Sequence, residues 1–205
     1  SASIPTDPAG ETFVHATGPP IQCGAAAPAE PCPPEPPVCP PGQPLTDPWV
    51  SPPDPSMRHR FGVEGSPAIP ADFFGSGSDP FTGFVQFEGE PLGLPEFGAA
   101  DTLIERTADP FGPCDLPSAV AVDVPIEIAA LSLRSVNPLT ITYSAVNPED
   151  WDVDVDLSPT VAPPVGMLTA TKTHCNGGTY TSTLHVQPRF TFTKVGDPGQ
   201  VRILD

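Results

Sequence analysis

Val153-Asp154-Val155-Asp156-Leu157 alternates apolar and acidic side chains without interruption. Successive side chains of a β-strand point to opposite faces, so this stretch forms a strand with valine and leucine on one face and aspartate on the other. A strand of this kind belongs to a sheet with one dry and one wet face, which is typical of antiparallel sheets. The stretch therefore predicts an antiparallel all-β fold.

The same alternation recurs along the chain, and turn residues separate the repeats. Asn176-Gly177 lies between two threonine-rich stretches and predicts a tight hairpin, and residues 195–199 predict a second one. Turn signals at this spacing favour an antiparallel β-sandwich of seven to nine strands around one core. A helix over residues 126–133 is the alternative for the longest apolar pattern. The predicted strands cover residues 84–88, 102–106, 124–133, 139–143, 153–157, 168–173, 179–186, 189–193 and 201–204.

Residues 1–60 differ from this pattern and form a proline-rich N-terminal arm, followed by the β body at 61–205. Fifteen of the 33 prolines lie between Pro19 and Pro55. A polyproline II segment extends by about 3.1 Å per residue, so the arm reaches beyond its own domain. We expect it to pack against other copies of the chain, with Phe13, Trp49 and Val50 as buried anchors.

The charge of the chain limits its partners. The formal net charge is −17, from 25 acidic and 8 basic residues. Such a surface repels nucleic acid and anionic lipid. No stretch approaches the roughly 20 consecutive apolar residues that a membrane-spanning helix needs.

The first residues, Ser1-Ala2-Ser3-Ile4-Pro5, are typical of the end that signal-peptide removal leaves. Few lysines, many Thr, Ser, Gly and Pro residues, and cysteines in a proline frame also suit export. We therefore expect a secreted protein at the cell surface or outside the cell. A fragment trimmed at both ends is the alternative.

The five cysteines predict disulfides rather than a metal site. Cys114 and Cys175 flank different β segments and are expected to pair within the body, while two of Cys23, Cys32 and Cys39 pair within the arm. Zinc sites need two to four residues between paired cysteines, but the arm cysteines are separated by eight and six. One thiol is left over and is available for a bond between chains.

Asp152, Asp154 and Asp156 share one face of a predicted strand and are weak candidates for calcium binding. Residues two apart on a strand are about 7 Å apart, which is too wide for one ion unless loop oxygens join them. A solvated acidic face that discourages aggregation is the favoured interpretation. The sequence predicts no other cofactor.

No motif of a hydrolase, metalloprotease or phosphate-binding loop occurs, so the sequence predicts a protein that is not an enzyme. Aromatic side chains offer a second kind of site, a platform on which a sugar ring stacks. Trp49 and Trp151, with Tyr143 and Tyr180, are its candidates, while Trp49 also serves as an arm anchor. Strand spacing assigns four phenylalanines to the core instead: Phe84, Phe87, Phe190 and Phe192.

An ordered series of motifs spans about residues 70–205: Asp101-Thr102-Leu103-Ile104-Glu105-Arg106, Val124-Pro125-Ile126-Glu127-Ile128 with Leu131-Ser132-Leu133, Trp151-Asp152-Val153, Thr169-Ala170-Thr171-Lys172-Thr173-His174 with Asn176-Gly177-Gly178, and Pro188-Arg189-Phe190-Thr191-Phe192. The series resembles a group of uncharacterised secreted β-rich proteins of planctomycetes and similar environmental bacteria. The resemblance implies export and a β body, and it supplies no catalytic residue.

Two functions follow as hypotheses. In the first, the chain is a secreted structural protein that self-assembles through its N-terminal arm into a fibre or surface layer, as a homo-oligomer or filament. In the alternative, it is a β-sandwich binding module for polysaccharide or another component of the cell envelope, and the arm is a spacer.

Overall fold

The computed structural model describes residues 12–17, 45–51, 57–63, 66–107, 121–174 and 177–205. These residues contain no α-helix and one short 3-10 turn at Pro95–Phe97, and they confirm the predicted all-β class. The strands are β1 (Thr12–Thr17), β2 (Leu45–Trp49), β3 (Arg58–Phe61), β4 (Gly83–Gly89), β5 (Thr102–Arg106), β6 (Ala121–Ser135), β7 (Leu139–Tyr143), β8 (Asn147–Leu157), β9 (Gly166–His174), β10 (Gly177–Val186), β11 (Pro188–Lys194) and β12 (Val201–Leu204).

All strand pairs are antiparallel, and the long strand β6 belongs to two layers. In the first layer the order is β1-β10-β9-β6-β5-β2, and in the second it is β3-β4-β6-β8-β11-β12, with β7 also beside β8. The first part of β6 pairs with β9 and β5, and its end pairs with β8 and β4. The two layers are therefore continuous through one strand.

A bulge in β6 marks the passage from one layer to the other. Val124, Ile126 and Ile128 are buried at even positions, whereas Leu131 and Leu133 pack against the second core at odd positions. The pairing register with β5 shifts between Leu103 and Ile104, opposite this change. One extra residue in a strand reverses the phase of its alternation. The helix alternative for residues 126–133 is therefore wrong, because strand pairing and alternate burial run through the whole stretch.

The larger core belongs to the second layer and is rich in aromatic rings. Trp151, Val153 and Val155 supply the inner face of β8, and Phe190 and Phe192 supply that of β11. The loop between β3 and β4 completes this core with Ile69 and Phe74, each 1% exposed. Phe74 contacts both Trp151 and Phe192.

A smaller core lies on the first layer, where Ile104, Ile126 and Leu184 are buried and Leu168 packs against them. Among the described residues the two clusters are separate. Among these residues each layer buries an apolar cluster of its own, and the expectation of a single core stays a prediction.

The phenylalanines follow strand alternation more strictly than predicted. Phe87, Phe190 and Phe192 are buried, as expected. The prediction for Phe84 is wrong, since this residue is 51% exposed. Phe84 and Phe87 are three residues apart, so an uninterrupted strand cannot place both on one face.

The described parts of the arm pair with the body of the same chain. β1 pairs with β10, β2 with β5 and β3 with β4, and among the described strands each of these three has that one partner. Pro48 lies within β2, where an edge position accepts a residue without an N–H group. The predicted boundary after residue 60 cuts β3, so this strand is shared by arm and body.

Candidate binding groove

The first layer curls so strongly that its two ends approach each other. Trp49 on β2 and Tyr180 on β10 are separated by three intervening strands, yet their rings meet edge to face with centroids 5.8 Å apart. A sheet that brings strands so distant in its order into contact is concave on that face. The concave face therefore forms a groove with aromatic rings on both sides.

We define the groove by the side chains that line it: Asp47, Trp49, Ile104, Arg106, Ile126, Leu168, Tyr180 and Ser182. Its floor is apolar, because Ile104, Ile126 and Leu168 belong to the smaller core. Its walls carry the polar groups. Trp49 remains 39% exposed despite its contact with Tyr180, so part of the indole faces solvent.

An ion pair fixes one wall of the groove. The Arg106 guanidinium donates through Nε to Asp47 Oδ2 and through Nη2 to Asp47 Oδ1 at 3.0 Å. Two parallel hydrogen bonds hold both planar groups in one orientation. Asp47 and Trp49 are two residues apart on β2, so the pair and the indole lie on the same face of the strand.

The opposite wall carries hydroxyl groups. Tyr180 and Ser182 lie two residues apart on β10, and Ser182 is buried. Burial raises the pKa of the Tyr180 phenol, because the phenolate loses hydration. The phenol is therefore neutral at pH 7 and can donate a hydrogen bond.

The groove contains one predicted anchor, Trp49. Val50 follows it and is 62% exposed, so within a single chain neither residue is a buried anchor. Phe13 lies in β1, where its backbone pairs with that of His185 in β10. The Phe13 side chain lies outside the described part of the structure. The disulfide predictions for Cys23, Cys32, Cys39, Cys114 and Cys175 also fall outside the described residues.

Trp151 does not contribute to an aromatic platform. Its exposure is 0%, and it packs against Phe74 in the larger core. The suggestion that Trp151 stacks on a sugar is therefore wrong. Tyr143 likewise lies against the larger core, where burial is the main cause that raises its pKa to about 12.

Asp152, Asp154 and Asp156 form a row on the outer face of β8, as the alternation predicts. Burial is the main cause that raises the pKa of Asp154, and the neighbouring carboxylates add to it, while Arg134 opposes the shift. Arg134 Nε lies 4.0 Å from Asp154 Oδ1. Within the described ranges, no group of three or more His, Cys, Asp or Glu side chains is arranged to hold a metal ion.

The sequence analysis missed Asp47, Arg106 and Ser182 as parts of a site. Asp47 and Trp49 alternate in step, which is a local signal for a shared face. Asp47 and Arg106 are 59 residues apart, and no local pattern connects them.

No protein-family model matches this chain, and neither a curated protein nor a solved structure matches it. The resemblance to secreted proteins of planctomycetes stays a prediction. In the part of the chain that the structure describes, we find no helix with the length and apolar character that a membrane crossing needs.

Proposed function

We propose that the protein is a binding module that holds a neutral polysaccharide in the groove of the first layer. The observation that supports this most directly is the partly exposed indole of Trp49 beside the bidentate pair of Asp47 and Arg106. A sugar ring combines an apolar face of C–H groups with a rim of hydroxyls. An aromatic face next to fixed donors and acceptors complements both parts.

The charges of the groove favour a neutral ligand over an ion. Asp47 and Arg106 neutralise each other, and Tyr180 is uncharged at pH 7. The chain as a whole carries a formal charge of −17, which repels anionic ligands at long range. The rings of Trp49 and Tyr180 stand 75° apart and touch edge to face, so a sugar ring would stack on the exposed part of the indole and not between the two rings.

The test is the effect of Trp49→Ala on binding to a panel of neutral polysaccharides, such as xylan, β-glucan and chitin oligosaccharides. Affinity electrophoresis and isothermal titration calorimetry measure the binding. We expect a loss of about tenfold or more, because an aromatic contact contributes about 1 kcal/mol beyond the area it buries.

Val50→Ala is the matched control for this experiment. Val50 is adjacent to Trp49 and more exposed, and it does not line the groove. Its binding should equal that of the unaltered chain. The proposal fails if the unaltered chain binds none of the polysaccharides, or if both variants weaken binding equally.

Self-assembly of a secreted structural protein through its arm is the second candidate. The observation in its favour is that β1, β2 and β3 all lie at the edges of the part of the sheet that the structure describes. An edge strand that reaches its position through a long connection can be exchanged for the same strand of a neighbouring copy, which is domain swapping. Residues 18–44 separate β1 from β2 and give the connection this length.

Deletion of residues 1–20 tests this second candidate, because it removes β1 and exposes the edge of β10. We expect the full chain to form particles larger than a monomer and the shortened chain to lose them, as measured by analytical ultracentrifugation. A synthetic peptide of residues 10–19 should then bind the shortened chain and not the full one. Particles of unchanged size after the deletion would rule out exchange of β1.

A further inference from the structure

The outer face of the second layer carries a basic cluster at one side. Arg58 and Arg60 on β3 lie over the Phe84 ring of β4, with guanidinium carbons 4.5 and 5.0 Å from its centroid. Among the described residues the structure records no acidic partner for either arginine. Phe84 is 51% exposed, so the two charges and the ring form one accessible surface, which we call the Arg-Phe cluster.

The same face carries a row of acids on β8, and we call Asp150, Asp152 and Asp154 the acidic row. They alternate with the buried residues Trp151 and Val153 and therefore point outward. β4 and β6 separate β8 from β3. With about 4.8 Å between neighbouring strands, the Arg-Phe cluster and the acidic row are about 14 Å apart on one surface.

The strand register places the Arg-Phe cluster and the acidic row at the same position along the strand direction. Glu88, Arg134 and Asp154 are aligned across β4, β6 and β8. Counting back along β4 and β8 at the same rise per residue brings Gln86 level with Asp152 and Phe84 level with Asp150; over this length β6 has ended and β7 lies beside β8. Since Arg58 pairs with Gln86 and Arg60 with Phe84, the two arginines lie level with Asp152 and Asp150.

We propose that this face binds a second copy of the chain, with the Arg-Phe cluster of each copy on the acidic row of the other. The two copies are related by a two-fold axis that runs parallel to the strands, midway between β4 and β6. Rotation about this axis brings the two outer faces together and leaves the position of each residue along the strand direction unchanged. It places β3 over β8 of the second copy. Arg58 then meets Asp152 of the second copy and Arg60 meets Asp150, and both pairs occur twice in one isologous interface.

Residues near the axis fit the same arrangement. The axis places β4 over β6 of the second copy, so Glu88 meets Arg134, which is 50% exposed at its side chain. Phe84 meets the neighbourhood of Val136, which directly follows β6 and is 41% exposed. The centre of the interface thus contains apolar contacts between charged pairs. Sheets that pack face to face are about 10 Å apart, a distance that arginine and aspartate side chains span.

The test exchanges the charges in two full-length variants that carry different affinity tags. One variant is Arg58→Glu with Arg60→Glu, and the other is Asp150→Arg with Asp152→Arg. Each variant confronts like charges in its own dimer, so we expect self-association to weaken at least about tenfold. In a mixture of the two, one half of the interface regains its charge pairs with reversed sign, and the other half keeps the original pairs of arginine and aspartate. Co-capture of the opposite variant should therefore return to the level of the unaltered chain.

The control is Asp123→Arg with Glu127→Arg, which makes the same charge change as the Asp150 and Asp152 variant on exposed residues of the first layer. This variant should self-associate like the unaltered chain. Exchange of β1 does not depend on these positions and predicts equal co-capture in every combination. The proposal is overturned if the unaltered chain is monomeric, if both variants still self-associate fully, or if the mixture fails to restore capture while both variants retain their circular dichroism spectra.

Discussion

Asp101→Ala is expected to lower the free energy of unfolding by about 3 kcal/mol or more. The Asp101 side chain is 1% exposed, and its carboxylate accepts hydrogen bonds from Ser51 N at 2.6 Å, Ser51 Oγ at 2.9 Å and Thr102 Oγ1 at 2.7 Å. Hydrogen bonds to a charged group contribute about 1.5–3 kcal/mol each. Alanine would leave these donors without their acceptor at a site that water does not readily reach.

The backbone of Asp101 also connects two strands, so the effect of the substitution should extend beyond the carboxylate. Its backbone N–H donates to Trp49 O, and its carbonyl accepts from Ser132 N in β6. The residue therefore joins the end of β2 to the strand that both layers share. We expect Asp101→Ala to loosen the end of β2, which carries Trp49.

Urea denaturation measures this loss, and two further variants make the result specific. Asp123→Ala removes an exposed aspartate that accepts from Thr169 Oγ1, and it should cost well under 1 kcal/mol. Gly89→Ala should also destabilise the fold, because its added Cβ would lie 1.9 Å from Asp101 Oδ2 and displace the carboxylate. If Asp101→Ala is no more destabilising than Asp123→Ala, the carboxylate does not hold this junction.

The sequence predicted the strands from β4 onward well because their signal is local, but it predicted none of β1, β2 and β3 in the proline-rich arm. β5, β7 and β12 have the predicted bounds, and β8 contains the predicted stretch. β8 extends beyond it to Asn147 because Leu139–Tyr143 pairs along its first half. A pairing partner decides where a strand begins, and alternation within the strand does not contain that information.

The division of β6 between two layers shows what the alternation of apolar residues predicts and what it does not. The shift from even to odd apolar positions near Ala129 was present in the sequence and indicates a bulge. The pattern could not tell that the two halves pair with different strands. Those partners, β9 and β8, are fixed by contacts between residues far apart in the chain.

The groove was the least predictable feature because it depends on the curvature of a whole sheet. Trp49 and Tyr180 are distant in the sequence, and they meet only because the layer between them curls. The pairing of Asp47 with Arg106 requires in addition the register of β2 on β5, where Asp47 lies opposite Ile104. Sequence periodicity assigns a face to each residue, but it does not assign a neighbour.

The second large effect is expected in acid and comes from His59. Burial lowers the pKa of this imidazole from 6.5 to about 4. Its Nε2 lies 2.8 Å from Ser66 Oγ, and its ring contacts Phe61 and Phe190 at centroid distances of 4.5 and 4.9 Å. The folded protein therefore keeps His59 neutral in an aromatic surrounding where a charged ring would lose its hydration.

The sign of the pH effect follows from the two pKa values. Between pH 6.5 and 4 the unfolded chain binds a proton at His59 and the folded chain does not, so acid favours unfolding. The contribution of the neutral His59 to the free energy of unfolding is complete above pH 6.5 and is lost as the pH falls toward 4. Between pH 7 and pH 5 we expect His59 to account for a loss of about 2 kcal/mol.

His59→Gln separates this effect from the titration of the carboxylates. Glutamine can still hydrogen-bond the Ser66 hydroxyl, and it does not titrate. The variant will be less stable than the unaltered chain at pH 7, because it loses ring contacts with Phe61 and Phe190. Between pH 7 and pH 5 its free energy of unfolding, measured in urea, should fall by about 2 kcal/mol less than that of the unaltered chain. Equal slopes in the two proteins would mean that His59 takes up its proton in the folded state as readily as in the unfolded chain.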